Sequence, residues 1–194
     1  VTMTVDWEHI PAKHRSLIKA FLDEADMSAD AIKTVDFPPV YGVDIVVSCE
    51  KAKDLKNGSI YLKPTQFVLG IGCRRDTAFE NIDRAIRQSL LKMQIDISDI
   101  DMIASIDVKK DEPGIKEFCE RNRIDFVTYT ADELMAVQGE FSASQFVREH
   151  VGVDNVCERA AVLACSRECN EAGELIYKKH KYDRVTVAAA KYPD

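Results

Sequence analysis

The chain lacks most of the patterns that announce a function directly. No two of its cysteines form a CxxC pair, and it contains neither HExxH nor GxSxG. Zinc-peptidase and α/β-hydrolase signatures are therefore missing. No run of about eighteen apolar residues occurs, so no membrane-spanning helix is predicted. The opening residues, Val1 to Asp6, lack the basic stretch and apolar core of a secretory leader, and the expected location is the cytoplasm. An excess of positive charge is also missing: 33 Asp and Glu against 26 Lys and Arg give a formal charge of -7. That sign opposes broad attachment to nucleic acid or to an anionic membrane, while leaving room for a local basic pocket.

Six cysteines are present, Cys49, Cys73, Cys119, Cys157, Cys165 and Cys169, mostly within apolar segments. They read as reduced, packed thiols rather than a disulfide framework. Cys165 and Cys169 share a helix face and could supply half a metal site, but no histidine at suitable spacing completes it, and no protein-bound metal is expected. His9, His14, His150 and His180 are scattered.

At 194 residues and 46% hydrophobic content the chain is long enough for a substantial core. An amphipathic helix is predicted from Pro11 to Ala25, with Leu17, Ile18, Phe21 and Leu22 on one face, ended by Asp36-Phe37-Pro38-Pro39. A strand follows at Val43 to Val47, and the punctuation at Asn57-Gly58 and Lys63-Pro64 puts a boundary near Lys63. Residues 1–63 then form a small α/β segment and 64–194 the main domain. Beyond the boundary come strand 66–71, helix 77–93, strand 101–106, helix 113–122 and strand 125–130. This βαβαβ order predicts an α/β fold, a mainly parallel or mixed sheet flanked by helices. Thr77 with Glu80 and Thr130 with Glu133 have capping-box spacing. Further helices are predicted at 144–150 and 155–170, the second apolar on most faces and stopped by Gly173, followed by strands 175–178 and 184–189, read as a hairpin.

Three segments could carry chemistry. In Leu69-Gly70-Ile71-Gly72-Cys73-Arg74-Arg75 a strand runs through two glycines toward a helix start. Backbone amides could approach an anion there, with Gly70, Gly72, Cys73, Arg74 and Arg75 as binding residues. The competing reading is a plain strand-to-helix turn with solvated arginines; the third glycine of a dinucleotide fingerprint is missing at Asp76, which ranks nucleotide binding lowest. In Ala104 to Gly114, Ser105, Asp107, Lys109 and Glu112 follow the next strand at the same sheet end. A carboxylate beside a lysine serves as a general base or forms an ion pair, and helix capping accounts for Glu112. In Val151 to Ala161, Glu158 is either a base or the third residue of a cap begun by Asn155. Ser142 and Ser144 lie in a polar loop and read as helix entry, Ser144 also being a binding candidate.

Taken in order, LGIGCRR (69–75), ASIDVKKDEPG (104–114), FVTYTADEL (126–134), FSASQFV (141–147) and GVDNVCERAA (152–161), with Lys178 and Val185 to Ala188, resemble the CbiG family of cobalt-precorrin-5A hydrolases. The resemblance covers most of residues 64–190. It implies a place in the anaerobic, early-cobalt route of cobalamin biosynthesis, where the δ-lactone of cobalt-precorrin-5A is opened and acetaldehyde released to give cobalt-precorrin-5B. Cobalt would be carried by the substrate, so no cofactor is expected. Asp107 or Glu158 would activate water, Lys109 would orient a carboxylate, and the glycine-arginine segment would hold anionic groups. Residues 1–63 resemble part of the family's middle segment, and no counterpart of its amino-terminal domain is found. Expected partners are cobalt-precorrin-5A, that missing domain or other enzymes of the pathway, and a second copy of the chain, with no nucleic acid and no membrane. A non-catalytic module that binds or delivers a tetrapyrrole is the alternative.

Overall fold

The structure is a computed structural model, described over residues 3–8, 10–26, 29–31, 45–48, 60–142, 152–169 and 171–193. The chain divides into two compact units that meet in sequence between Gln66 and Phe67. The first holds β1 (Met3–Val5), α1 (Ala12–Glu24), β2 (Ala29–Ala31), β3 (Ile45–Val47) and β4 (Ile60–Leu62). Its strands form a parallel sheet in the order β2-β1-β3-β4. Val5, Ile10, Leu22 and Val47 make its buried cluster, with Trp7, Ile18 and Ile45 packed against it. The predicted apolar stripe of α1 is thereby split. Ile18 and Leu22, one turn apart, face the cluster, whereas Leu17 and Phe21 are more than half exposed. The proline cluster at 36–39 lies outside the described residues.

The second unit contains β5 (Phe67–Cys73), α2 (Phe79–Met93), β6 (Ile100–Ile106), α3 (Pro113–Asn122), β7 (Asp125–Tyr129), α4 (Ala131–Ala136), α5 (Val156–Cys169), β8 (Glu174–Lys181) and β9 (Val185–Lys191). The sheet order is β7-β6-β5-β9-β8. β5, β6 and β7 run parallel, as their helical crossovers require, and the β8–β9 hairpin joins β5 antiparallel. The fold is thus α/β with a mixed sheet. The helix predicted at 144–150, and Ser144 with it, lies outside the described residues.

Alternation along β5 sorts the two faces. Phe67, Leu69 and Ile71 belong to one buried cluster with Ile82, Ile86 and Leu90 of α2 and Ile115 and Phe118 of α3. On α2 the buried positions Ile82, Ala85, Ile86, Ser89 and Leu90 repeat at three and four residues, one stripe of a helix. Val68 belongs to the opposite cluster, with Met102, Ala104 and Ala190 of the sheet and Ala160, Ala161, Ala164 and Cys165 of α5. Small side chains on both sides let α5 lie close to the sheet. The limit is reached at Gly70, where an added Cβ would lie 1.7 Å from the Cys157 carbonyl oxygen.

Two sequence readings are corrected by this geometry. β5 does not end at Ile71. It pairs with β9 through Cys73, opposite Val185, so both glycines are ladder residues rather than a loop around an anion. Nor does Thr77 cap α2: Ala78 is the N-cap, and the Thr77 hydroxyl donates instead to the Arg74 carbonyl at 2.7 Å. Thr130 does cap α4, with Glu133 completing the predicted box.

The Gly70 contact leaves no room for a side chain. Gly70→Ala should therefore force α5 off the sheet and lower unfolding stability by about 3 kcal/mol, the upper end for overpacking. Chemical denaturation measures this directly; an unchanged midpoint would contradict the packing.

Candidate functional site

A cavity of about 440 Å³ opens at the carboxyl ends of β5 and β6. β5 contributes Gly72, Cys73 and Arg74; the turn after β6 contributes Val108 and Lys109; the first turn of α5 contributes Asn155, Val156 and Cys157; the hairpin contributes Lys179, Lys181, Tyr182, Arg184, Val185 and Thr186. This is where ligands settle on open α/β sheets, and the amino terminus of α5 adds partial positive charge. Arg74, Lys109, Lys179, Lys181 and Arg184 are all cationic, and no carboxylate side chain lines the wall among the described residues. A protein of net charge -7 has segregated positive charge at one concavity.

Gly72 has an architectural part here. Its missing side chain keeps the floor open, since an added Cβ would meet Thr186 Oγ1 at 2.6 Å, and its carbonyl accepts a hydrogen bond from that hydroxyl at 3.2 Å. Gly70 lies one pleat back under α5 and is filled by Cys157, so it offers nothing to a ligand. The paired arginines part company: Arg74 lines the cavity, while Arg75 does not and uses its carbonyl to accept a bond from Arg184 Nη2 at 3.0 Å. Ser105 is fully buried and donates to the Ile71 carbonyl at 2.6 Å, stitching β6 to β5 beyond their ladder rather than facing the cavity.

Glu112 takes the N-cap position of α3 beside Pro113, as expected, but its side chain makes no capping bond. Its two oxygens accept from the Thr77 amide at 3.0 Å and from Lys109 Nζ at 2.9 Å, tying the loops after β5 and β6 together. The Lys109–Glu112 pair is nearly buried, with 14% and 5% of the side chains exposed, which fixes Lys109 in the wall and partly neutralises it.

Glu158 is fully buried and heavily committed. One carboxylate oxygen accepts from Ser142 Oγ at 2.8 Å and from the Lys179 amide at 2.6 Å, the other from the Ser142 amide at 2.8 Å. Asn155 caps α5 by accepting from the Glu158 amide at 3.0 Å, as its position predicts, and donates to the Ser142 carbonyl at 2.9 Å. Lys179 Nζ also reaches that carbonyl, at 3.0 Å. The first turn of α5, the 141–142 segment and strand β8 are thus locked through Ser142. Arg159 completes the lock with a 2.7 Å pair to Asp154, a 2.9 Å bond to the Val137 carbonyl and its guanidinium 4.5 Å over the Phe141 ring. These bonds explain the residue choices in FS (141–142) and DNVCER (154–159).

Asp107 is the contrast. It begins a short 3-10 turn, Asp107–Lys109, whose next two residues line the cavity, and its half-buried carboxylate has no hydrogen bond or ion pair among the described residues. Burial pushes the Cys73 thiol up to about 11 and the Cys157 thiol up to about 12, so both are protonated at neutral pH. Neither is poised as a nucleophile. Among the described residues no three His, Cys, Asp or Glu side chains are grouped to hold a metal ion. No helix of the described residues is long and apolar enough to cross a membrane.

The hairpin's contribution escaped the sequence reading, which singled out Lys178. Lys178 is exposed and off the cavity; its neighbour Lys179 and then Lys181 line it. The signal was the alternation in Lys178-Lys179-His180-Lys181, two cations on one face of a strand, but only the antiparallel pairing of β9 with β5 brings that face to Gly72.

Fold and cavity together define an α/β domain with a cationic cleft at the end of a mixed sheet. The chain belongs to the family described as cobalamin synthesis G C-terminus, whose model matches residues 67–190. It is 38% identical over 102 residues to the cobalt-precorrin-5A hydrolase of Salmonella typhimurium, covering 53% of this chain and 29% of that protein. It is 30% identical over 144 residues to the cobalt-precorrin-5A hydrolase of Priestia megaterium, covering 74% and 37%. The chain therefore spans well under half the length of these relatives. Among solved structures, CobE, a protein from the cobalamin (vitamin B12) biosynthetic pathway, superposes with a TM-score of 0.61 at 25% identity, covering 64% of this chain and 89% of that one.

Two outcomes test the site. Glu158→Ala leaves the Ser142 and Lys179 amides without acceptors and should cost about 3 kcal/mol of unfolding stability, read by denaturant titration. Alkylation of Cys73, followed by peptide mass spectrometry, should still be rising tenfold per pH unit at pH 9.5, because its raised pKa keeps the thiolate scarce there; a plateau near the ordinary value of 9.0 would contradict the burial.

Proposed function

We propose that this chain is the substrate-gripping, lactone-opening module for cobalt-precorrin-5A in cobalamin biosynthesis, acting as a cobalt-precorrin-5A hydrolase or as one part of it. The observation that carries this reading is the cavity wall, which among the described residues has five cations and no carboxylate. A lactone-bearing tetrapyrrole presents several acid side chains, and the hydrolysis of an ester-like carbonyl generates an oxyanion. Both are stabilised by the same fixed positive charge. The family to which the chain belongs and the names of its relatives point to the same substrate.

In this reaction Asp107 takes a proton from water, the oxygen adds to the lactone carbonyl, and the ring C–O bond breaks to leave a carboxylate and an alkoxide. The alkoxide departs as acetaldehyde when its carbon–carbon bond to the macrocycle breaks, the electron pair passing into the conjugated ring system. Asp107 is assigned the base because its carboxylate is uncommitted, whereas Glu158 already accepts three bonds. Lys109, Lys179 and the rim cations hold the acid side chains, and the amides at the start of α5 add to the positive field. No cofactor is assigned, cobalt being part of the substrate. The setting is the cytoplasm, and the family's amino-terminal domain is the partner that would complete the enzyme.

Asp107→Asn should reduce acetaldehyde release from cobalt-precorrin-5A by roughly a hundredfold or more while leaving substrate binding intact. Acetaldehyde is measured with a coupled alcohol dehydrogenase, binding by the visible bands of the substrate. A fully active Asn variant removes Asp107 as base. Binding by the unaltered chain without any acetaldehyde favours the non-catalytic binding or delivery module instead.

A further inference from the structure

We propose that the cavity takes the tetrapyrrole edge-on, gripping the peripheral carboxylates of one side of the macrocycle while leaving its face and its central metal outside. The proposal rests on the reading of this chain as a tetrapyrrole-binding module and adds the orientation and the selectivity.

The first argument is size. A cavity of about 440 Å³ lies toward the small end of ligand pockets, room for the acid side chains of one or two pyrrole rings and not for a four-ring macrocycle with all its substituents.

The second is the placing of charge. Lys109 and Lys179 are half-buried; Arg74, Lys181 and Arg184 are exposed. The inner pair is fixed in advance, Lys109 by Glu112 and Lys179 by the hydrogen bond its Nζ donates to the Ser142 carbonyl, so little side-chain freedom remains to be lost on binding. Strand β8 carries two register shifts against β9, between Leu175 and Tyr177 and between Tyr177 and His180. Such bulges redirect side chains, and here Lys179 within the second shift and Lys181 just past it face the same space. At the rim, the side chains of Arg74 and Lys181 make no hydrogen bond or ion pair among the described residues, which leaves their charge available to a ligand. Cations at two depths match acid side chains of different reach along one edge of a ring system.

The wall is also poor in metal ligands. Among the described residues it contains no imidazole and no carboxylate side chain, the groups that would reach a metal from above the macrocycle face. Its two thiols are protonated at neutral pH and so are poor ligands.

The test is a ligand series against the purified chain. Uroporphyrin is a metal-free octacarboxylate, coproporphyrin a metal-free tetracarboxylate, cobyrinic acid a cobalt corrin with free carboxylates, and cobinamide a cobalt corrin whose side chains are amides. Binding is read by porphyrin fluorescence and by corrin visible bands. Edge-on gripping predicts that uroporphyrin and cobyrinic acid bind, that coproporphyrin is weaker by roughly tenfold, and that cobinamide does not bind. Arg74→Met with Lys181→Met, both exposed and with side chains that make no hydrogen bond among the described residues, should weaken uroporphyrin by roughly tenfold with an unchanged circular dichroism spectrum. Raising salt from 50 to 500 mM should weaken it further. Cobinamide binding as tightly as cobyrinic acid, cobyrinic acid binding without uroporphyrin, an Arg74/Lys181 variant of undiminished affinity, or no binding by any of the four would each overturn the proposal. Acetaldehyde release from cobalt-precorrin-5A is scored separately. Its absence with the predicted ligand series intact removes the hydrolase reading alone; its presence alongside tight cobinamide binding removes the edge-on grip alone.

Discussion

The close approach of α5 to the sheet at Gly70 is the constraint from which the site follows. A helix normally stands off a sheet by the thickness of the intervening side chains. Here Gly70 has none, and alanines at 160, 161, 164 and 190 keep the facing surfaces thin. The helix therefore descends until the Cys157 carbonyl occupies the place of a Cβ. Its amino terminus comes down beside Gly72, and the space between that terminus and the sheet becomes the cavity. With a larger residue at position 70 the same elements would pack with the cleft displaced.

A helix seated so closely needs its first turn held from all sides, and buried polar groups do this. Asn155, Glu158 and Arg159 each connect α5 to a different segment: the 141–142 stretch, strand β8 and the carboxyl end of α4. A buried carboxylate is costly unless its oxygens are satisfied, and Glu158 meets that condition with three donors. The result is rigidity where the cavity needs it. Lys179 is fixed through its backbone amide and its Nζ, Lys109 through Glu112, and the cations converge with no carboxylate among the described residues of the wall. Positive charge can accumulate there because the rim cations remain solvated and the inner ones are anchored by acids that lie behind the wall.

The same pattern gives a physical meaning to the family's sequence motifs. Gly70 and Gly72 serve packing and an open floor. Glu112 and Glu158 are ties. The cations line the cavity, and Asp107 precedes two lining residues. Residues that stand together in one motif thus separate into scaffold and site once the chain is folded, as Arg74 and Arg75 do across a single peptide bond.

Much was legible in the sequence for local reasons. The βαβαβ order, the helices 113–122 and 156–169, the capping box at Thr130 and the hairpin all follow from periodicity, proline position and cap chemistry, which act within a few residues. The α/β class was determined there too. What the sequence could not decide was which side chains meet across long separations. β5 runs on to Cys73 only because β9, more than a hundred residues later, pairs with it. Glu112 keeps the N-cap position while its side chain becomes a cross-loop tie because the Thr77 amide lies beside it, and Lys179 rather than Lys178 enters the cavity because a bulged edge strand sets which face looks inward. Local propensity fixes elements; the partners of a polar or charged side chain are chosen by tertiary packing, and the cavity is made of those partners.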